Sequence, residues 1–208
     1  MSSLFCQNNM SPYFTDPILD HLHQQVTDHF GELLDIQPAL PQDYFWNLCR
    51  SIVGQQLSEK VAPIIVERVK ITLGHHLTPE SVLNTPDELL RAAGLSYAKI
   101  SYLKNTARAW QEVGFSPEKL STLSDEEVIT VLTQIKGVGR WTAEMFLLFT
   151  LARPDIFSVG DYGLKRAMML SYHLPLTTQP AQFLELATLW SPYRSLASRV
   201  LWKSLDLL

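Results

Sequence analysis

The chain has 208 residues, 46% of them apolar, and a formal charge of −4. That apolar share can build a sizeable core and excludes a disordered chain. The modest acidic balance excludes a generally basic coat, so a polyanion would have to be held by a local surface.

In chain order, the start Met1-Ser2-Ser3-Leu4-Phe5 lacks a basic segment followed by an apolar run, the pattern of a secretory signal. No apolar stretch reaches the roughly 20 residues that span a bilayer. A soluble intracellular protein with no membrane partner is expected, cytoplasmic in a bacterium or nuclear in a eukaryote. The first 15 residues are polar and irregular and read as an arm or a loose segment. Two cysteines, Cys6 and Cys49, make neither a disulfide framework nor a thiolate metal cage. His21, His23 and His29 read as solvated. His75-His76 lacks the i, i+4 spacing of a helical zinc pair and suits the end of a helix instead.

Helix starts recur in one form. Asp16-Pro17, Thr78-Pro79, Thr85-Pro86, Ser116-Pro117 and Ser191-Pro192 each place a capping side chain before a proline, which is tolerated where its missing N–H has no partner. Thr85 with Glu88 and Ser124 with Glu127 fit the capping-box spacing. The β-branched run Val61–Val66 sits between charged flanks and predicts a buried helix with Pro63 near its start. Leu90, Ala93 and Leu95 mark the end of another helix and its exit. Val128, Val131, Leu132 and Ile135 share one helical face. Strand and hairpin signals are weak. The expected fold is all-α, about ten helices without repeats, with a soft boundary near residues 115–124.

A helix over Asp125–Ile135 runs into Lys136-Gly137-Val138-Gly139-Arg140, and Trp141–Leu151 forms the next helix. Two glycines around one apolar residue permit a tight turn with positive φ. Such a turn leaves backbone N–H groups at a helix start, a natural phosphate site. Val138 can plug the angle between the helices, while Lys136 and Arg140 add positive charge. An ordinary helical corner would carry the same glycines. Downstream, Asp161 follows Gly160 and opens a further helix, where an aspartate serves equally as a simple cap.

Taken together, these segments resemble the helix-hairpin-helix DNA glycosylase superfamily over roughly residues 42–205. The hairpin Lys136–Gly139, the following helix and the Asp161 segment stand in that family's order. Phe45–Ser58, ending Gly54-Gln55-Gln56-Leu57-Ser58, is similar to its helix and DNA-wedge loop. Gly94-Leu95-Ser96 with Ala98-Lys99 is similar to its Gly-Leu/Ile-x-x-x-Lys segment. The resemblance implies a single domain of two packed lobes with the active-site cleft between them. One lobe would span about 42–150 and include the hairpin 125–151; the other would join the N-terminal helix to about 155–208.

Bifunctional members of the superfamily carry a nucleophilic lysine after the hairpin. This chain has Trp141 there, in Gly139-Arg140-Trp141-Thr142-Ala143, and an indole cannot form an imine. The string most resembles the alkylpurine branch, 3-methyladenine DNA glycosylase II. It implies base excision without strand nicking, from double-stranded DNA carrying alkylated purines such as 3-methyladenine and 7-methylguanine. A purine alkylated at N3 or N7 is cationic and leaves readily, so a general acid can be missing. Asp161 would stabilise an oxocarbenium-like sugar and orient or deprotonate water, on a nucleotide flipped out of the duplex.

The same resemblance assigns Trp141, Trp202, Tyr162, Tyr193 and Phe45 to the base pocket, with Trp46 a weaker candidate, since aromatic faces attract a cationic base. Core packing is the competing reading for each. Gln56 or Leu57 would be the wedge; a glutamine could hydrogen-bond the orphaned base, a leucine only fill space. Lys136, Gly137, Val138, Gly139, Arg140 and Thr142 would meet the DNA backbone. Too few residues precede Phe45 for the N-terminal β-rich lobe of the alkylpurine enzyme. The four-cysteine segment of endonuclease-III-type relatives is missing, so no iron–sulfur cluster or other cofactor is expected. The resemblance allows a monovalent ion on the hairpin carbonyls, and a monomer. Two other functions fit the same residues: a noncatalytic DNA-damage sensor, and a glycosylase for uracil, hypoxanthine or an oxidised purine.

Overall fold

The computed structural model describes residues 13–33, 36–58, 60–113, 115 and 117–207. Among them every regular element is helical: twelve α-helices and three short 3-10 turns. That is two more helices than the expected ten, several of them short, such as α4 (Pro79–Asn84) and α5 (Asp87–Ala92). No described helix is long and apolar enough to cross a membrane. The first twelve residues, Cys6 and the Ser116 cap lie outside the described residues.

Two compact units emerge. The first spans 36–158 and the second joins 13–33 to 159–207. In the first, α2 (Tyr44–Gly54) is the central element and packs on α3 (Ala62–Thr72), α6 (Tyr97–Val113) and α9 (Arg140–Phe149). Its apolar face, with Leu48, Cys49, Ile52 and Val53 at 0% exposure, explains that centrality. Burial pushes the Cys49 thiol far above its usual range, so it is an inert core group. α8 (Asp125–Thr133) packs on α9 across the hairpin. Its start is the expected capping box of Ser124 and Glu127.

In the second unit α12 (Arg194–Ser204) packs against α1 (Pro17–Phe30) and α10 (Tyr162–Ser171), with α11 (Pro180–Ala187) beside them in sequence. Asp16 caps α1 through the N–H groups of Ile18 and Leu19. Its other carboxylate oxygen accepts from the Tyr172 hydroxyl and from Trp190 Nε1 at 2.9 Å. This buried aspartate thereby fixes α1 to the chain beyond α10. Burial and the Asp16 hydrogen bond push the Tyr172 phenol up.

Four sequence expectations change. Thr85 does not cap α5; it ends α4, its hydroxyl donating to the Ser81 carbonyl, and α5 starts on Pro86 without a side-chain cap. Ser191-Pro192 is a cis peptide that closes a 3-10 turn, and α12 begins only at Arg194. The run Val61–Val66 does lead into helix α3, but Val69 is that helix's buried residue, and Val61 and Ile64 are exposed. No boundary falls at 115–124. There the Arg153 guanidinium reaches the carbonyls of Leu120, Ser121 and Leu123 and pairs with Asp125, tying the segment into the first unit.

Candidate functional site

The hairpin belongs to the first unit. α8 ends at Thr133, and a tight reversal follows: Ile135 N–H donates to Leu132 and Val138 N–H to Ile135. Only Gly137 needs the left-handed region, at φ 108°, while Gly139 sits at −91° as the N-cap of α9. Gly137 has a second reason to be glycine. A Cβ there would stand 2.2 Å from Cγ of Tyr102, so the turn lies directly on that ring. At Gly139 a Cβ would meet nothing within 4 Å, and the residue is exposed. With no side-chain cap at Gly139, the start of α9 faces open space.

The proposed backbone-contact residues divide. Lys136 is exposed beside this helix start. Arg140 is engaged within the protein: its fork binds Glu126 through Nη1 at 3.1 Å and Nη2 at 2.5 Å, and its Nε donates to Glu144 at 2.9 Å. These two carboxylates offset its charge. Val138 is buried and its N–H is used within the turn, so it offers an outside ligand neither group. The Thr142 side chain is also buried, and its hydroxyl accepts from Gln55 at 3.0 Å. Val138 and the Thr142 side chain therefore shape the hairpin from inside.

The loop after α2 lies in the same unit. Gln56 stands at φ +57°, which costs a residue with a Cβ about 1 kcal/mol, and it is exposed. Leu57 is half-buried, its N–H donating to the Gly54 carbonyl. Two residues whose roles the sequence does not announce hold this loop. The Lys99 ammonium takes the carbonyls of Val53 at 2.7 Å and Gln55 at 2.6 Å, completing the C-terminal end of α2. Partial burial pulls its pKa down. The Gln55 side-chain amide reaches the Gly137 carbonyl at 3.2 Å as well as Thr142.

The aromatic candidates also separate. Phe45, with 3% exposure, packs edge-on against Trp110, and Trp46 is equally buried. Phe45 and Trp46 are core residues of the first unit and do not offer a ring to a base. Trp141, at the start of α9, is 36% exposed.

Asp161, Tyr162, Tyr193 and Trp202 belong to the second unit. Asp161 caps α10, its Oδ1 accepting from Leu164 N–H at 2.8 Å. The same oxygen accepts from Trp202 Nε1 at 2.9 Å. A helix cap needs only the first of these bonds; the indole fixes the carboxylate in a second direction. Gly163 makes the approach feasible, since a Cβ there would come within 3.1 Å of both Asp161 Oδ1 and Trp202 Cδ1. A glycine in the first turn of a helix, where alanine would be about 1 kcal/mol better, was the available sequence signal for this contact. Tyr162 is 74% exposed and Tyr193 46%, the latter edge-on to Tyr13.

A family model described as the HhH-GPD superfamily of base excision DNA repair proteins matches residues 49–192. The chain is 37% identical over 161 residues to DNA-3-methyladenine glycosylase 1 of Schizosaccharomyces pombe, covering 76% of this chain and 70% of that protein. Among solved structures, the S. pombe 3-methyladenine DNA glycosylase in complex with abasic DNA is similar at a TM-score of 0.77 and 30% identity, over 89% of this chain and 95% of that one. DNA-3-methyladenine glycosidase of Bacillus halodurans is similar at a TM-score of 0.72 and 36% identity, over 91% and 84%.

Proposed function

The chain belongs to the HhH-GPD superfamily of base excision DNA repair proteins, and on that premise we propose that it is a monofunctional DNA glycosylase for alkylated purines in duplex DNA. The observation that carries this reading is the double hold on Asp161 Oδ1 by Leu164 N–H and Trp202 Nε1. A carboxylate oriented beyond the needs of a cap can stand against the positive charge that grows on the sugar as a base departs. The relatives named as 3-methyladenine glycosylases support the same leaving-group class.

The chemistry then needs little else. An alkylated purine cation departs without protonation, and Asp161 steadies the oxocarbenium-like sugar and directs water onto it. In the second unit, half-buried Trp202 and exposed Tyr162 and Tyr193 are the rings that receive a cationic base. Each such contact contributes about 0.5–2 kcal/mol. Lys136 and the open start of α9 at Gly139 take the DNA backbone. Gln56 is the wedge, because the left-handed turn holds it outward and exposed while Leu57 is half-buried. No lysine stands at the Trp141 position, so no imine links enzyme to sugar, and the reaction uses no cofactor.

Release of 3-methyladenine and 7-methylguanine from methylated duplex DNA tests this directly. Asp161→Asn should lower release by about 10²-fold or more, the scale lost with one aimed electrostatic group. Unchanged release in that variant would remove Asp161 from the chemistry. Lesion binding with no release at any enzyme excess would make the protein a damage sensor. A borohydride-trapped adduct would refute the monofunctional assignment.

A further inference from the structure

The least expected contacts in the first unit converge on one residue, Gln55. Its main-chain carbonyl is bound by the Lys99 ammonium, and its side-chain amide is bound to the hairpin at Gly137 O and Thr142 Oγ1. Its neighbour Gln56 is held in a left-handed conformation that a free loop would abandon. Lys99 also binds Val53 O, so α6 takes part in closing the end of α2. Gln56 therefore projects from a short turn braced on both sides, one side being the hairpin to which the DNA backbone is assigned above.

We propose that Gln55, seated by Lys99, is a positioning residue for base flipping: it locks the Gln56 wedge to the hairpin, so that gripping the DNA backbone sets where the wedge enters. The inference rests on the glycosylase reading only for the use to which flipping is put; duplex opening itself is observable without base release. A wedge must enter at one place on the base stack, and an unbraced loop would spread Gln56 over many positions. The hydrogen bonds run from a side-chain amide to a carbonyl and a hydroxyl, so a glutamine-sized apolar residue keeps the volume and removes the tie.

The experiment is a double-mutant cycle between Gln55→Leu and Gln56→Ala. The probe is a duplex carrying 2-aminopurine next to an abasic-site analogue, whose fluorescence rises when the stack opens. Single-turnover release of 7-methylguanine is measured in parallel. Each single variant should slow opening about tenfold, the scale of one or two lost hydrogen bonds, and the double variant should be no slower than Gln56→Ala alone. Fully additive losses would overturn the brace, as would unchanged opening in Gln55→Leu. A merely structural role for Gln55 would lower the melting temperature and add to the Gln56→Ala loss. Should Gln55→Leu fail to fold, Thr142→Val removes one of the two acceptors and should give a smaller effect with the same non-additivity. Wild-type protein that opens no duplex overturns wedge and brace together. Wild-type protein that opens the duplex without releasing a base overturns the glycosylase reading, and the cycle still decides the brace.

Discussion

The two units carry their functional groups in opposite ways. In the unit over 36–158 the polar side chains near the hairpin mostly hold main-chain carbonyls: Gln55 on Gly137, Lys99 on Val53 and Gln55, Asn105 on Lys136. Backbone position is what that unit supplies. In the unit built from 13–33 and 159–207, one carboxylate oxygen of Asp161 is fixed by an indole 41 residues further along, and the tyrosines Tyr162 and Tyr193 are exposed. Side-chain direction is what this unit supplies. A grip on a uniform phosphate backbone can be made of main chain, whereas stabilising one reacting sugar requires an aimed charge. Variants should therefore sort by unit: changes that shift the main chain should damage the first, and changes that turn a single side chain the second.

The largest effect should come from shape. Gly137→Ala forces a Cβ into φ 108° and onto the Tyr102 ring, 2.2 Å from Cγ. Unfolding free energy should fall by at least about 2 kcal/mol, since strain and overpacking act together. Adding Tyr102→Ala should relieve the collision but not the backbone strain, so the pair should be less unstable than the sum of its parts. Denaturant titration of the four proteins checks this. A Gly137→Ala chain as stable as wild type would mean that the hairpin is not set by its backbone.

A smaller effect should come from one bond in the other unit. Trp202→Phe keeps an aromatic wall and removes the Nε1 donor 2.9 Å from Asp161. kcat for base release should drop about tenfold with KM nearly constant, because a bond to a charged group contributes about 1.5–3 kcal/mol and only part of it is catalytic. A rise in KM at constant kcat would make Trp202 a wall for the base alone and return Asp161 to the rank of a helix cap.

The same contrast explains what was legible in the sequence. The all-helical fold, the hairpin and the Asp161 cap are written in local signals: apolar periods, glycines around Val138, a capping aspartate before Tyr162. Gln55 and Lys99 stand in segments that the family resemblance picks out, but their contacts and that of Tyr102 carry no such signal, because the partners lie 35 to 87 residues away by numbering and a glutamine or lysine in a helical sequence reads as solvated. Burial is the other property that local signals do not show: Phe45 on α2 and the Thr142 side chain on α9 face the core, while Val138, in the turn between α8 and α9, is buried as the plug its place between two glycines suggests. Arg140 shows the limit of reading charge without partners, since acidic residues on both α8 and α9 engage it.

That last contact yields the smallest and most discriminating prediction. Glu126 occupies the Arg140 fork in the manner of a phosphate, two oxygens to two nitrogens. Glu126→Gln should raise affinity for undamaged duplex DNA about threefold and steepen the salt dependence by up to about one counterion, as one more cation becomes available to the backbone. Hydrogen bonding from Arg140 holds the Glu126 carboxyl below the ordinary glutamate range. Its modest contribution to stability is therefore present above the unfolded-state value and lost as pH falls through the lower folded one. Across that acidic window the wild-type carboxylate takes up a proton and should release Arg140, so the affinities of wild type and Glu126→Gln should converge, while at neutral pH they differ. Equal affinities at neutral pH would leave Arg140 a brace between α8 and α9 even with DNA present, and the grip of the first unit would then rest on Lys136 and main chain.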